Sequence, residues 1–359
     1  MKTLKAGIIG VGGIAQQAHI PSYQKVEGVE IVAIADINEI KMKEVAEKFG
    51  IKKTFNKWED MLKEDIDIVS ICSPNAFHAQ QSIKAMEAGK HVLCEKPLCL
   101  SEKEVEEVFD TAKTTGMKFM GAMPRRFSGE ARVLKPLIDN GDFGEVYYMK
   151  ASYLRRRGIP GLGTWFTNKK LAGGGPMMDV GVHVIDLLIY LTGIVNPEMV
   201  IGSTYSKFTD KATDSGWPPI NTRKGNEFIG KMDVEDIACG FVKFKDGTSL
   251  FIEASWAGNC QPGLSVSLMG TKAGFQMPDS SNSNNPVKIY GETGETLLDI
   301  LPIVPRIETF KEEVNHFVKC VRENKDTGTK KQEILTVTQI IQGLYKSAQT
   351  GKPVFYTHT

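Results

Sequence analysis

The chain has 359 residues, 41% hydrophobic and 24% charged, which is enough for two domains with real cores and ordinary for a globular protein. With 44 basic and 43 acidic residues the formal charge is +1, so nothing points to nucleic acid or to an anionic membrane. The six cysteines lack CxxC or CxxH spacing, which argues for free thiols in the cytoplasm and against a structural zinc site. The opening MKTLKAGIIGVGGIA interrupts its apolar run with glycines. It reads as neither a signal peptide nor a membrane segment, and no other apolar stretch approaches the ~18 residues of a span.

In chain order, LKAGIIG is a short strand of buried type, and AQQAHIPSYQKV a helical run. VEIVAIAD is a second strand, followed by the helix NEIKMKEVAEKFG with Gly50 as its stop. DIDIVSICSP, the helix AFHAQQSIKAMEAG, and KHVLCEKP continue the alternation. Ser101 and Glu104 open the next helix as a capping box, Gly116 ends it, and MKFMGAM closes the series. Continuous apolar strands alternating with amphipathic helices predict a doubly wound parallel sheet over residues 1–124.

Beyond residue 124 the texture changes. ARVLKPLIDNGDFG reads as a helix and turn, and EVYYMKASYLRRRG, MVIGSTYSKF, DIACGFVKFKDGTSLFIEASWA and GLSVSLMGTKAGFQM as strands. Two helices, IETFKEEVNHFVKCVREN and EILTVTQIIQGLYKSAQTG, finish the chain. Strands in succession with few crossover helices predict an α+β domain over 125–359 with a largely antiparallel open sheet. The stretches 208–233 and 279–286 read as loops.

The first strand runs into Gly10-Val11-Gly12-Gly13-Ile14-Ala15. Gly10 permits a tight turn, Gly12 lets backbone approach a pyrophosphate, and Ala15 keeps helix and strand close. The helix that follows offers unpaired N–H groups to phosphates. Asp36 ends the second strand about 20 residues further on, placed to accept from a ribose 2′-hydroxyl and to repel a 2′-phosphate. Ile37 and Asn38 supply no arginine for that phosphate, so NAD is the expected cofactor.

The segment GGGPMMDVGVHVIDLL, 173–188, sets Asp179, His183 and Asp186 at helical spacings on one face among aliphatic residues. Asp186 reads as a structural hydrogen-bonding partner. His183 is a candidate base for a hydroxyl proton, with Asp179 one turn earlier to orient its ring.

Lys90–Leu98 (KHVLCEKPL), the G-G-G-x-x-x-D-x-G-x-H-x-x-D pattern, the GxGxxA turn, SPNAFH, RRF and VEDIA stand in one order from about residue 4 to about residue 355. Together they resemble the glucose–fructose oxidoreductase, inositol dehydrogenase and rhizopine-catabolism family (Gfo/Idh/MocA). The resemblance implies a Rossmann domain followed by a substrate-binding and oligomerisation domain, and homodimers or homotetramers formed through the second domain's sheet. It implies hydride exchange between NAD and a carbinol of a sugar, polyol or sugar derivative, without a metal. Lys96, Asp179 and His183 match the family's catalytic positions, Lys96 supplying positive charge to a developing oxyanion. Ser73, Asn75, His78, Glu95, Lys96 and Arg126 match cofactor contacts, although Pro124 stands where the family usually has asparagine. Tyr153, Arg155, Arg157, Trp165 and His183 fall where relatives meet substrate. Some relatives are NAD-dependent glycosidases and others non-catalytic sensors; the intact Lys96, Asp179 and His183 set argues against a sensor.

Overall fold

The computed structural model describes residues 3–209, 223–224, 227–228, 232–277 and 287–357. Most of the 208–233 stretch and the whole of 279–286 lie outside them.

The chain divides into two units, one running to Pro124 with Glu308–Lys331 added, the other taking most of the remainder. The first unit's strands are β1 (Leu4–Ile9), β2 (Val29–Ala35), β3 (Lys53–Phe55), β4 (Ile68–Ile71), β5 (His91–Glu95) and β6 (Phe119–Ala122). All pair in parallel, in the order β3-β2-β1-β4-β5-β6, which is the doubly wound dinucleotide-binding order. Every residue of β4 and β6 is buried, as strands covered on both faces require.

The connecting helices are α1 (Ile20–Lys25), α2 (Glu39–Phe49), α3 (Trp58–Met61), α4 (His78–Glu87) and α5 (Glu102–Thr115). The Ser101–Glu104 capping box forms as the sequence specifies, and Gly50 and Gly116 end their helices in the left-handed region. The three-residue β3 has too little periodicity to be read from the sequence and was not expected. The helix Thr309–Glu323, read from sequence as part of the second domain, packs within the first unit: Thr327 just beyond it donates to the Phe119 carbonyl at 2.8 Å.

The second unit carries β7 (Val146–Leu154), β8 (Pro197–Tyr205), a short pair β9 (Arg223–Lys224) and β10 (Glu227–Phe228), then β11 (Ile237–Phe244), β12 (Ser249–Ser255), β13 (Gly263–Gly270), β14 (Gly274–Met277), β15 (Lys288–Thr293), β16 (Thr296–Ile300) and β17 (Val354–Phe355). Among the described residues, nine of these form one sheet, ordered β16-β15-β14-β13-β7-β12-β11-β8-β17. It is antiparallel except where β7 lies parallel to β12. Its helices are α6 (Gly129–Asp139), α7 (Lys169–Ala172), α8 (Val182–Thr192) and a final one over Lys331–Thr350.

The run Lys169–Thr192 reaches a mean hydropathy of 1.2, enough by composition to cross a membrane, but 89% of that window is buried inside the protein. It is a core helix. The opposite face of the sheet leaves Ile201, Phe251, Met269 and Tyr290 exposed.

Candidate active site

The glycine turn after β1 is shaped for close backbone approach. Gly10 has φ +86°, and a Cβ there would lie 2.7 Å from the Cys72 carbonyl, so only glycine lets β1 pass β4 at this point. A Cβ built on Gly12 would meet nothing within 4 Å, and the bare backbone is left as a surface for a phosphate. The helix beyond it has neither a side-chain cap nor an acidic residue in its first turn. Its N–H groups and positive dipole end therefore suit an anion. Ile14 packs inward on Ile8, Val11 and Ile34, so only its backbone and that of Gly13 are available to a ligand.

Asp36 stands beside this turn. One carboxylate oxygen accepts from the Val11 N–H and the other from the Asn38 N–H, both at 2.8 Å. Each oxygen keeps a second lone pair, so the carboxylate is aimed by the backbone and still able to accept from a ribose. These residues fit a dinucleotide.

At the ends of β4 and β5, Ser73 donates to Gln81 at 2.6 Å and Asn75 is buried. Lys96 follows Glu95 directly, half-buried, with a cis bond to Pro97. Three of the cofactor contacts expected from the resemblance are turned elsewhere. His78 is buried with both ring nitrogens on backbone carbonyls, of Pro97 and Ser73, each at 2.8 Å. Burial pulls its pKa below the ordinary value, against the opposite pull of those carbonyls.

Glu95 is buried against His19 Nε2 at 2.9 Å, and its second oxygen accepts from the Lys96 N–H at 3.1 Å. Burial would raise its pKa, but the hydrogen bond and charge of His19, with the Lys96 charge, more than reverse that. The side chain fixes the backbone that carries Lys96 rather than reaching out to a ribose.

Arg126 is bound at both ends of its fork. Its Nε and Nη2 donate to the two Asp186 oxygens at 2.8 and 2.6 Å, and Nη1 to Glu333 at 2.7 Å. The Arg126, Asp186 and Glu333 side chains are 7%, 1% and 6% exposed. Burial alone would lower the guanidinium pKa; the two carboxylates push it well above its usual value. The three side chains form a buried ion cluster that ties α8 to the last helix, and Asp186 has the hydrogen-bonding partner its sequence position suggested.

The second cluster surrounds 173–188. Two of the three glycines are a packing requirement: a Cβ on Gly174 would collide with the Tyr345 hydroxyl, and one on Gly175 with the Glu235 carbonyl, while Gly173 ends α7 in the left-handed region. Both Glu235 carboxylate oxygens lie 3.0 Å from the Gly175 N–H, and Tyr345 donates to Oε1 at 2.6 Å. Burial raises the pKa of Glu235, and its donors oppose the rise.

Met177–Gly181 is a π-helical turn leading into α8. Such a turn holds an extra residue, so positions before it lose α-helical phase with positions after it. Asp179 lies in that turn, and His183 and Asp186 follow within α8. Asp186 meets Arg126, whereas Asp179 accepts from the Trp256 indole at 2.9 Å. Asp179 is 8% exposed; His183, four residues on, is half-buried.

Near the end of β7, the Tyr153 ring lies between the Arg125 and Arg155 guanidiniums, 5.6 and 5.7 Å from its centroid. Trp165 stacks on Phe166 at 3.9 Å, and Arg157 lies over Phe208 at 4.4 Å. Among the described residues no group of His, Cys, Asp or Glu is arranged to hold a metal ion.

His19, Glu235, Trp256 and Tyr345 were not singled out from sequence. VEDIA marked the place of Glu235; an isolated His or Trp carries no such signal.

The parallel sheet with its glycine turn and aimed Asp36 defines a dinucleotide-binding domain. Comparison with known families agrees. The "Oxidoreductase family, NAD-binding Rossmann fold" model matches residues 4–122, and the "Oxidoreductase family, C-terminal alpha/beta domain" model matches 135–355. The chain belongs to the Gfo/Idh/MocA oxidoreductase family.

Among curated relatives, the D-glucoside 3-dehydrogenase of Escherichia coli is 31% identical, over 98% of this chain and 97% of that one. The levoglucosan dehydrogenase of Pseudarthrobacter phenanthrenivorans is 30% identical over 71% of this chain and 68% of that one. A solved levoglucosan dehydrogenase in complex with NADH superposes with a TM-score of 0.84 at 23% identity, covering 99% of this chain and 100% of that one; this likeness shows the fold.

Proposed function

We propose that the protein oxidises a secondary carbinol of a sugar or glycoside, passing the hydride to NAD, with His183 as base, Asp179 as its orienting carboxylate and Lys96 stabilising the oxyanion. The observation that carries this reading is the buried, indole-bound Asp179 one turn ahead of His183. A carboxylate held in that way has the character of the orienting member of a base dyad.

Bound NAD supplies the hydride acceptor; the protein's own residues must move the proton. A neutral His183 takes the hydroxyl proton as the C–H bond breaks, and Asp179 stabilises the resulting imidazolium. The Lys96 ammonium lowers the energy of charge developing on oxygen. Tyr153, Arg155 and Trp165 offer aromatic faces and donors of the kind that hold a pyranose ring. The relative named for D-glucosides makes a glucoside the first substrate to test. All six thiols are free, which suits the cytoplasm, and the exposed apolar face of the large sheet suits pairing with a second copy.

Lys96→Ala and His183→Ala test the assignment. Each should lower kcat on methyl β-D-glucoside about 10²–10⁴-fold while the NAD Kd, measured by calorimetry, stays within a few-fold. Near-wild-type turnover in either variant would remove that residue from the mechanism.

A further inference from the structure

Trp256 follows β12 directly and is completely buried, packed with Ile159, Leu162, Val234 and Ala257. Its backbone is pinned, the Trp256 N–H donating to the Asp236 carbonyl at 2.9 Å. The turn carrying Asp179 approaches the same strand closely: a Cβ on Gly181 would come within 3.3 Å of the Ala254 Cβ. Into this apolar setting the indole brings one polar atom, and it points at Asp179 Oδ2, 2.9 Å away.

An indole N–H only donates, so Asp179 must accept, and the contact favours its ionised form. A smaller apolar ring such as phenylalanine would occupy most of the site without an N–H to bury. Packing therefore explains the ring and leaves the nitrogen unexplained.

We propose that Trp256 is a positioning residue for the reaction, acting through Asp179. This rests on the reading of Asp179 and His183 given above. The indole holds one carboxylate oxygen and withdraws part of its charge, which fixes the rotamer and limits how strongly Asp179 raises the proton affinity of His183. The other ionisable groups near this turn have their own anchors. Glu235 holds the Gly175 N–H and Tyr345, Asp236 holds the Lys207 and Phe208 N–H groups, and Arg155 donates to the Gly158 carbonyl. Asp186 is bound by Arg126.

Trp256→Phe keeps an aromatic ring in the apolar site, gives up part of its volume and deletes the donor. Loss of one hydrogen bond to a charged group corresponds to a fall in kcat of roughly tenfold to a hundredfold. Freed of the indole, Asp179 holds the imidazolium more tightly, so the acid limb of the kcat/KM profile on methyl β-D-glucoside should move to higher pH. A purely structural role would lower stability without moving that limb. NAD affinity should stay within a few-fold.

An unmoved acid limb overturns the proposal, whether or not kcat falls, provided that His183→Ala has lost turnover. If His183→Ala retains turnover, the catalytic reading itself has failed and this inference falls with it. Should Trp256→Phe not fold, the indole ¹⁵N–¹H spectrum of the Asp179→Asn enzyme decides. One indole resonance, slow to exchange in the wild type, must shift, and an unchanged set of indole signals refutes the contact.

Discussion

Replacing Asp36 with serine should narrow the preference for NAD over NADP from both sides. The carboxylate is half-buried and aimed by two backbone N–H groups at 2.8 Å, so little order is lost when it accepts from a ribose. A hydrogen bond to a charged acceptor is worth about 1.5–3 kcal/mol, and its loss should weaken NAD roughly tenfold to a hundredfold. Against a 2′-phosphate the same carboxylate is repulsive, by about 3–4 kcal/mol at 4–5 Å and an effective dielectric of 20. Solvent and salt reduce that to about 1–3 kcal/mol.

The two effects together should move the NAD/NADP affinity ratio by roughly a hundredfold or more, without creating a strong NADP enzyme, since Ile37 and Asn38 provide no guanidinium. Because Asp36 also holds the Val11 N–H, Asp36→Asn is the companion variant: it keeps an oxygen for Val11 and loses the charge. Calorimetric titration of both cofactors into the three proteins is the assay. An unchanged ratio in both variants, or wild-type binding of NADP as tight as NAD, would refute the reasoning.

Two further outcomes follow from buried and exposed groups. The Glu95 carboxyl lies below its ordinary pKa, burial being outweighed by His19 and Lys96. Its contribution to stability is therefore full above the unfolded value of about 4.3 and is lost as pH falls toward the folded value. Glu95→Gln should cost about 1–3 kcal/mol at neutral pH yet lose less Tm than the wild type between neutral and acid pH, and parallel Tm curves would contradict this. Phe251, exposed on the large sheet beside Phe241 at 5.0 Å between ring centroids, should anchor self-association. On the proposed pairing through this face, Phe251→Lys should sediment as a lighter species than the wild type, and equal masses would contradict that pairing.

Much of the first unit was legible because its signals are local. Continuous apolar strands, the Ser101–Glu104 box and the stops at Gly50 and Gly116 each depend on a few neighbouring residues, and each forms. The long strands of the second sheet were legible by alternation, but β3, with three residues, was too short to show a period.

The site was legible as a set of residue types and less so as contacts. Arg126 and Glu333 are about 200 residues apart in the chain, and no local pattern says that a guanidinium will be bound by two buried carboxylates. Helical spacing suggested a common face for Asp179, His183 and Asp186, but not that Asp179 would sit in a π-helical turn and accept from the Trp256 indole. The glycines of 173–175 were visible, and the reason for Gly174 and Gly175, the approach of Tyr345 and Glu235, was visible only in three dimensions.

Hydride transfer from a sugar carbinol is the central claim, and isotope transfer tests it most directly. The enzyme, NAD and methyl β-D-glucoside deuterated at its ring carbinol carbons should yield reduced cofactor carrying one deuterium on the nicotinamide ring, read by mass spectrometry, and His183→Ala should yield almost none. Reduced cofactor without deuterium would contradict direct hydride transfer from a ring carbinol. A protein that binds NAD and forms no reduced cofactor with glucosides, levoglucosan or myo-inositol would contradict the account.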